Sequence, residues 1–152
     1  MNNIINRAAI PPMTPEAIAR VVAYEQEQLR KPQIPIHTQH ILHAGLYART
    51  ITIPAGVELT GALVKRSTVL QVVGDVLVNR DDECLRLTGV HVFPASAGRK
   101  QVFAAIRDTT VTMCFATSAR TVEEAEAEFT DDTALLFSRR DPELNTIIIT
   151  GE

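Results

Sequence analysis

The side chains of this sequence best suited to chemistry are its imidazoles and the cations set among β-forming residues: His37, His40 and His43, then Arg49, Lys65-Arg66, His91 and Arg99-Lys100. Imidazole is the commonest neutral metal ligand, so the first group invites a metal reading. On a strand, however, His37 and His43 face one side and His40 the other, and only a loop or helix brings them together. They are assigned instead to an interface or to the chain's approach to its β region. His91, between Val90 and Val92, reads as a hydrogen-bonded strand residue with no visible acid–base partner. The sequence has no Gly-x-x-x-x-Gly-Lys-Ser/Thr phosphate loop and no Gly-x-Ser-x-Gly elbow. Cys84 and Cys114 are too far apart for a metal cluster; both read as plain thiols, Cys114 buried in a strand.

Arg49 raises a sharper question. It lies in Leu46-Tyr-Ala-Arg-Thr-Ile-Thr-Ile53, where strand alternation puts Tyr47, Arg49, Ile51 and Ile53 on one face. A charge on an apolar face needs a partner. Either a carboxylate such as Glu58 or Asp75 supplies it, or an anionic ligand is held in the fork of guanidinium donors. Further on, the loop Ser96-Ala-Gly-Arg-Lys100 offers backbone amides as a small anion nest, with Gly98 permitting the turn.

These groups need a scaffold, and the chain announces one. Thr14-Pro15-Glu16 starts a helix: the hydroxyl caps free amides, proline suits the first turn and the carboxylate complements the dipole. The helix is expected to reach about Leu29, with Ile18, Val21, Val22, Tyr24 and Leu29 on its apolar side, before Lys31-Pro32 and Ile34-Pro35 stop it. From Ile36 to Thr117 the text becomes short β-rich runs: LYARTITI, VELTGALV, TVLQVV, DVLVN, GVHVF, QVFAAI and TVTMCFAT. That rhythm predicts an all-β sandwich or barrel, and the lack of alternating helices excludes a doubly wound sheet. Thr121-Val-Glu-Glu124 is a capping-box pattern opening a short acidic helix through about Phe129, its charges expected on a solvated face. Asn145 to Thr150 has strong β propensity and must pair with this sheet or another subunit's.

The organisation expected is a single domain: residues 1–35 helical, 36–117 the β-barrel, 118–152 a helix and strand tail. A chain of 152 residues, 45% hydrophobic and 22% charged, suits one soluble core. A net charge of −3 gives no long-range pull toward nucleic acid or an anionic membrane. No apolar run is long enough to span a bilayer and the start MNNIINR lacks a signal-peptide core, so a cytoplasmic protein is expected.

Two stretches, ITIPAGVELTGALVKRSTVLQVVGDVLV and RLTGVHVFPASAGRKQVFAA, resemble the cupin superfamily over roughly Leu46 to Thr117. Pro54, Gly56, Gly74 and Asp75 match the first cupin motif; Gly89, Pro94 and Gly98 match the second, with two extra residues between Pro94 and Gly98. The resemblance implies a jelly-roll barrel with an N-terminal helix and a short C-terminal helix. It also implies where metal ligands would stand, and those places read Ala62, Val64, Ser67 or Thr68, and Gln101. Methyl groups and one amide do not hold a transition ion, so no metal and no cofactor are expected. IHTQHILHAGLYARTI and TGVHVFPASAGRKQ are also similar to short cupin-like proteins of phage and prophage genomes.

The function read from all this is a metal-independent cupin-fold protein that binds a small anion through Arg49, Lys65, Arg99, Gln101, Tyr47 and His91. If the phage likeness holds, sequestering a nucleotide-derived signal is a use for it. The alternatives are a metal-independent isomerase or lyase with His91 or Tyr47 as acid or base, and a structural phage or assembly protein whose pocket is filled by side chains. A homo-oligomer, most simply a dimer, is expected because Ile147-Ile148-Ile149 and the apolar side of the first helix need cover.

Overall fold

The computed structural model describes residues 8–152, so the polar start MNNIINR lies outside the described residues. The fold is mainly β, a single curled sheet forming a half-barrel, with an N-terminal helix and short C-terminal helices. Its strands are β1 (Thr38–His43), β2 (Leu46–Ile53), β3 (Glu58–Thr60), β4 (Thr68–Arg80), β5 (Glu83–Ala95), β6 (Val102–Ala105), β7 (Thr109–Ala116) and β8 (Asn145–Ile149). They run in the order β3-β6-β4-β7-β2-β1-β8, with β5 on the other edge of β4. Every pairing is antiparallel except that of β1 with β8.

The curl has an identifiable hinge in β4. TVLQVV and DVLVN read as two strands, but they form one, paired along its whole length with β5. The opposite edge of β4 divides: residues 69–73 pair with β7 and residues 76–78 with β6. Between them sits Gly74 at φ 149°, where an added Cβ would lie 2.4 Å from Thr109 Oγ1 and 2.8 Å from the Asp108 carbonyl. A glycine that looks like a turn signal is instead the point of closest backbone approach, which lets β6 and β7 leave β4 in different directions.

The concave side carries Tyr47, Ile53, Leu70, Val72, Val76, Phe93 and Phe115, all buried. Helix α1 (Pro15–Gln28) is capped by Thr14 Oγ1, which accepts from Ala17 N at 3.2 Å, and it buries Ala17 and Val21 with Met13 against Val102. Helix α2 (Val122–Phe129) is capped by Thr121 as expected, and packs across the open side of the curl together with α3 (Phe137–Arg140).

Two expectations are corrected here. The acidic helix does not present all its charges to solvent: Glu126 is 1% exposed, because it shares one stripe with Val122, Ala125 and Phe129. Cys114 is half-buried rather than buried, since it faces the outer side of β7, and both cysteines are free. The isoleucine tail pairs within its own chain, β8 lying parallel to β1.

Candidate ligand-binding cavity

Inside the curl lies a cavity of about 120 Å³, walled by Leu70, Phe103, Val111 and Met113 from the sheet and by Phe129 and Phe137 from the helices. Arg49, Arg99, Lys100 and Gln101 supply polar groups to the same lining, together with Glu25, which pairs with Lys100 at 3.0 Å, and the exposed Asp132. So do Ala62 and Val64. Three of the places where the resemblance puts metal ligands therefore do converge on one cavity, and the side chains there are a methyl, an isopropyl and an amide. Among the described residues there is no group of three or more His, Cys, Asp or Glu placed to hold a metal ion.

Arg99 is 2% exposed and carries no carboxylate partner among the described residues. Gly98, at φ 81°, turns the chain so that the guanidinium folds back under its own loop. Its Nη1 donates to the carbonyls of Ser96 (2.8 Å) and Ala95 (3.2 Å), and its Nη2 to Thr68 Oγ1 (2.9 Å). Burial pulls the group down to about 10, which still leaves it cationic at neutral pH. The anion nest expected of this loop does not form: Ser96 N donates to Ile10 O, Ala97 N to Ser67 Oγ and Gly98 N to Val64 O. The amides are occupied, and the loop's carbonyls, not its amides, meet the guanidinium.

Arg49 has a different environment. Its partner is neither Glu58, which accepts from the Tyr24 hydroxyl, nor Asp75, which takes a bidentate Arg86 at 3.1 and 2.9 Å. It is Glu126, whose Oε2 accepts from Arg49 Nη1 at 2.8 Å. Ser138 Oγ also donates to Oε2 and Arg139 Nε to Oε1 at 2.7 Å. Burial drives the Glu126 carboxyl upward, but the donors from Arg139, Ser138 and Arg49 outweigh it and hold it below the usual carboxylate range. The network continues outward: Tyr47 OH lies 3.4 Å from Arg49 Nη1 and 2.7 Å from His40 Nδ1, while His40 Nε2 meets Asn145 Oδ1 at 3.1 Å. With Asn145 Oδ1 accepting, the ring carries its proton on Nε2 and takes the Tyr47 hydroxyl proton at Nδ1, the neutral state. Burial lowers the His40 pKa and pushes the Tyr47 phenol up to about 12.

The other expected contacts lie elsewhere. Lys65 Nζ reaches Asp131 at 2.6 Å at the surface and is not part of the cavity lining. Tyr47 is buried behind Arg49. His91 stands on the β5 edge, its Nε2 2.9 Å from the Thr88 carbonyl, outside the cavity. Gln101, at the vacated histidine place, lines the cavity and donates to Asn79 O at 3.3 Å. His37 and His43 hydrogen-bond Thr146 and Thr150 beside β8, on the opposite side of β1 from His40. Sequence reasoning missed Glu126, Ser138 and Asn145. Glu126 left a trace: its position four residues after Val122 and three before Phe129 places it on the apolar stripe of its helix. Ser138 and Asn145 left none.

No family model matches the chain, and no curated protein matches it in sequence. In structure the chain is similar to KdgF from Halomonas sp., at 19% identity over 59% of this chain and 86% of that one, TM-score 0.47. It is also similar to a cupin superfamily protein from Desulfitobacterium hafniense, at 11% identity over 72% of this chain and 95% of that one, TM-score 0.47. A third likeness is to salicylate 1,2-dioxygenase from Pseudaminobacter salicylatoxidans, at 15% identity over 84% of this chain and 42% of that one, TM-score 0.49.

Proposed function

We propose that this protein binds a small monoanion, without a metal, in the cavity beside Arg99. The single observation that carries the reading is the state of Arg99: a guanidinium buried to 2% exposure, cationic, lacking a carboxylate and bordering an apolar cavity. Carbonyl and hydroxyl acceptors satisfy its hydrogen bonds but do not neutralise its charge, so the site retains a net attraction for an anion. Arg49, compensated by Glu126, adds no such attraction.

The cavity also selects by size and polarity. A volume of about 120 Å³ accommodates about four waters at the ~30 Å³ each occupies in the liquid, or one compact organic group, since a cavity of about 150 Å³ takes up benzene. A nucleotide-derived signal, the finer expectation for a phage protein, is larger than that. A carboxylate head with a compact apolar body fits both the charge of Arg99 and the leucine, valine and phenylalanine lining. The acid–base reading is weaker, since Tyr47 and His91 do not line the cavity.

The experiment is calorimetry with benzoate and hexanoate against benzyl alcohol and hexanol. A charge-assisted hydrogen bond contributes about 1.5–3 kcal/mol, so the acids are expected to bind about ten-fold or more tightly than the matched alcohols. In Arg99→Met that preference is expected to vanish. Equal affinity for acid and alcohol in the unaltered protein, or no binding of either, overturns the proposal.

A further inference from the structure

The side of the sheet facing away from the cavity has a composition that nothing above explains. Strand register sets Pro94, Val69, Cys114, Ala48, Ile41 and Ile148 in one continuous row across β5, β4, β7, β2, β1 and β8. All six point outward and all six are uncharged. The next row runs from Val92 through Gln71, Thr112 and Thr50 to Gln39 and Thr146, and a third begins with Val90 and Val73. No outward position in these rows is Asp, Glu, Lys or Arg, in a chain where 22% of residues are charged. Ordinary soluble surfaces are about 25–35% charged. The apolar members are well exposed: Val90 is 65%, Val92 63%, Val69 49% and Ile148 43% accessible.

We propose that this face is the contact surface for a second copy of the chain, the two sheets packing back to back about a two-fold axis. Self-pairing is the occupant these residues suit. In an isologous contact residues at the axis meet their own symmetry mates and residues away from it meet a different residue of the partner, so an uncharged face packs on itself without opposing like charges. A charged partner would find nothing to pair with. The threonines of the second row are already partnered inside the chain, since Thr50 Oγ1 and Thr112 Oγ1 bond each other at 2.7 Å and Thr146 Oγ1 lies 3.0 Å from His37 Nε2, so burying them strands no hydroxyl.

The area lies near the lower limit of a specific contact. Strands ~4.8 Å apart and outward residues ~6.7 Å apart along each give a patch of roughly 25 Å by 20 Å, on the order of 500 Å² before side-chain relief is counted. Specific interfaces bury about 600–1,000 Å² per partner. The surface overlaps the one the sequence suggested only at Ile148, because the edge of β8 already has β1 as its partner. It is independent of the ligand proposal.

Sedimentation velocity on the unaltered protein at tens of micromolar is expected to give twice the 16.7 kDa chain mass. Val69→Glu and Val92→Glu, both at exposed positions, are expected to weaken association at least ten-fold while circular dichroism and the melting curve stay those of a folded protein. Ile149→Lys, off these rows on the other side of β8, is expected to leave the dimer intact. A monomer for the unaltered protein overturns the proposal, including one that floats with neutral phosphatidylcholine vesicles, which would assign the face to lipid. So does a dimer indifferent to Val69→Glu and Val92→Glu, which would place the contact elsewhere.

Discussion

Arg49 and Arg99 both line one cavity and are nearly equally buried, at 8% and 2% exposure, yet the molecule accommodates their charges by different means. Arg49 reaches across to α2 and meets Glu126, itself clasped by Ser138 and Arg139. Arg99 curls under its own loop and meets neutral oxygens. The first arrangement ties the helical cap to the sheet and closes its electrostatics within the protein. The second satisfies hydrogen bonds while leaving a positive potential in an apolar space. A buried cation is thus a sign of a ligand only when its charge, and not merely its N–H groups, lacks an answer inside the fold.

The largest effect is expected at Glu126. Glu126→Gln leaves Arg49 and Arg139 without their carboxylate, and losing one partner of a buried pair costs about 3–5 kcal/mol. Urea unfolding is expected to show a loss of that order. The double replacement Arg49→Met with Glu126→Leu is expected to be less damaging than Glu126→Gln alone, because it removes both charges. If the single and double variants are equally unstable, the pair is not what joins cap to sheet.

Arg99 is expected to behave in the opposite sense. Arg99→Met removes the guanidinium donor from the Ala95 and Ser96 carbonyls, a loss of about 1–3 kcal/mol, while the ten-fold preference for a carboxylate disappears. Stability and ligand preference measured on one sample separate the two roles. An Arg99→Met protein that keeps its carboxylate preference would move the charge-bearing role back to Arg49.

Acid tests the Arg49 side alone. His40 titrates near its ordinary value of about 6.5 in the unfolded chain and lower in the fold, so between those values the unfolded chain binds more protons and stability falls as pH drops. Glu126, held below the usual carboxylate range, contributes stability that is present above about 4.5 and lost as pH falls through its folded value. Denaturant midpoints are expected to decline from pH 7 downward. His40→Gln should remove the upper part of that decline and leave the lower part. A midpoint unchanged between pH 7 and pH 5 would contradict a neutral His40 held by Tyr47 and Asn145.

The smallest effect is expected at Lys65. Its contact with Asp131 is solvent-exposed, and such pairs contribute about 0–1 kcal/mol. Lys65→Ala is expected to shift the melting temperature little and to leave carboxylate binding unchanged. A ten-fold loss of binding would bring Lys65 to the cavity mouth and widen the site.

Local text sufficed for the elements whose signals are local. Thr14-Pro15 and Thr121 cap their helices because capping is decided within four residues, and Tyr47, Arg49 and Ile53 share the inner face because a strand has a period of two. The sequence by itself also determined that no metal-ligand set stands at Ala62, Val64 and Gln101. What it did not carry is distance between remote segments. Glu126 lies 77 residues from Arg49 and Ser138 lies 89, and no spacing rule connects them. Gly74 reads as a turn until β6 and β7 are seen to diverge there. Whether Arg49 finds a carboxylate depends on how the last thirty or so residues fold back over the sheet, because charge compensation is a property of neighbours in space.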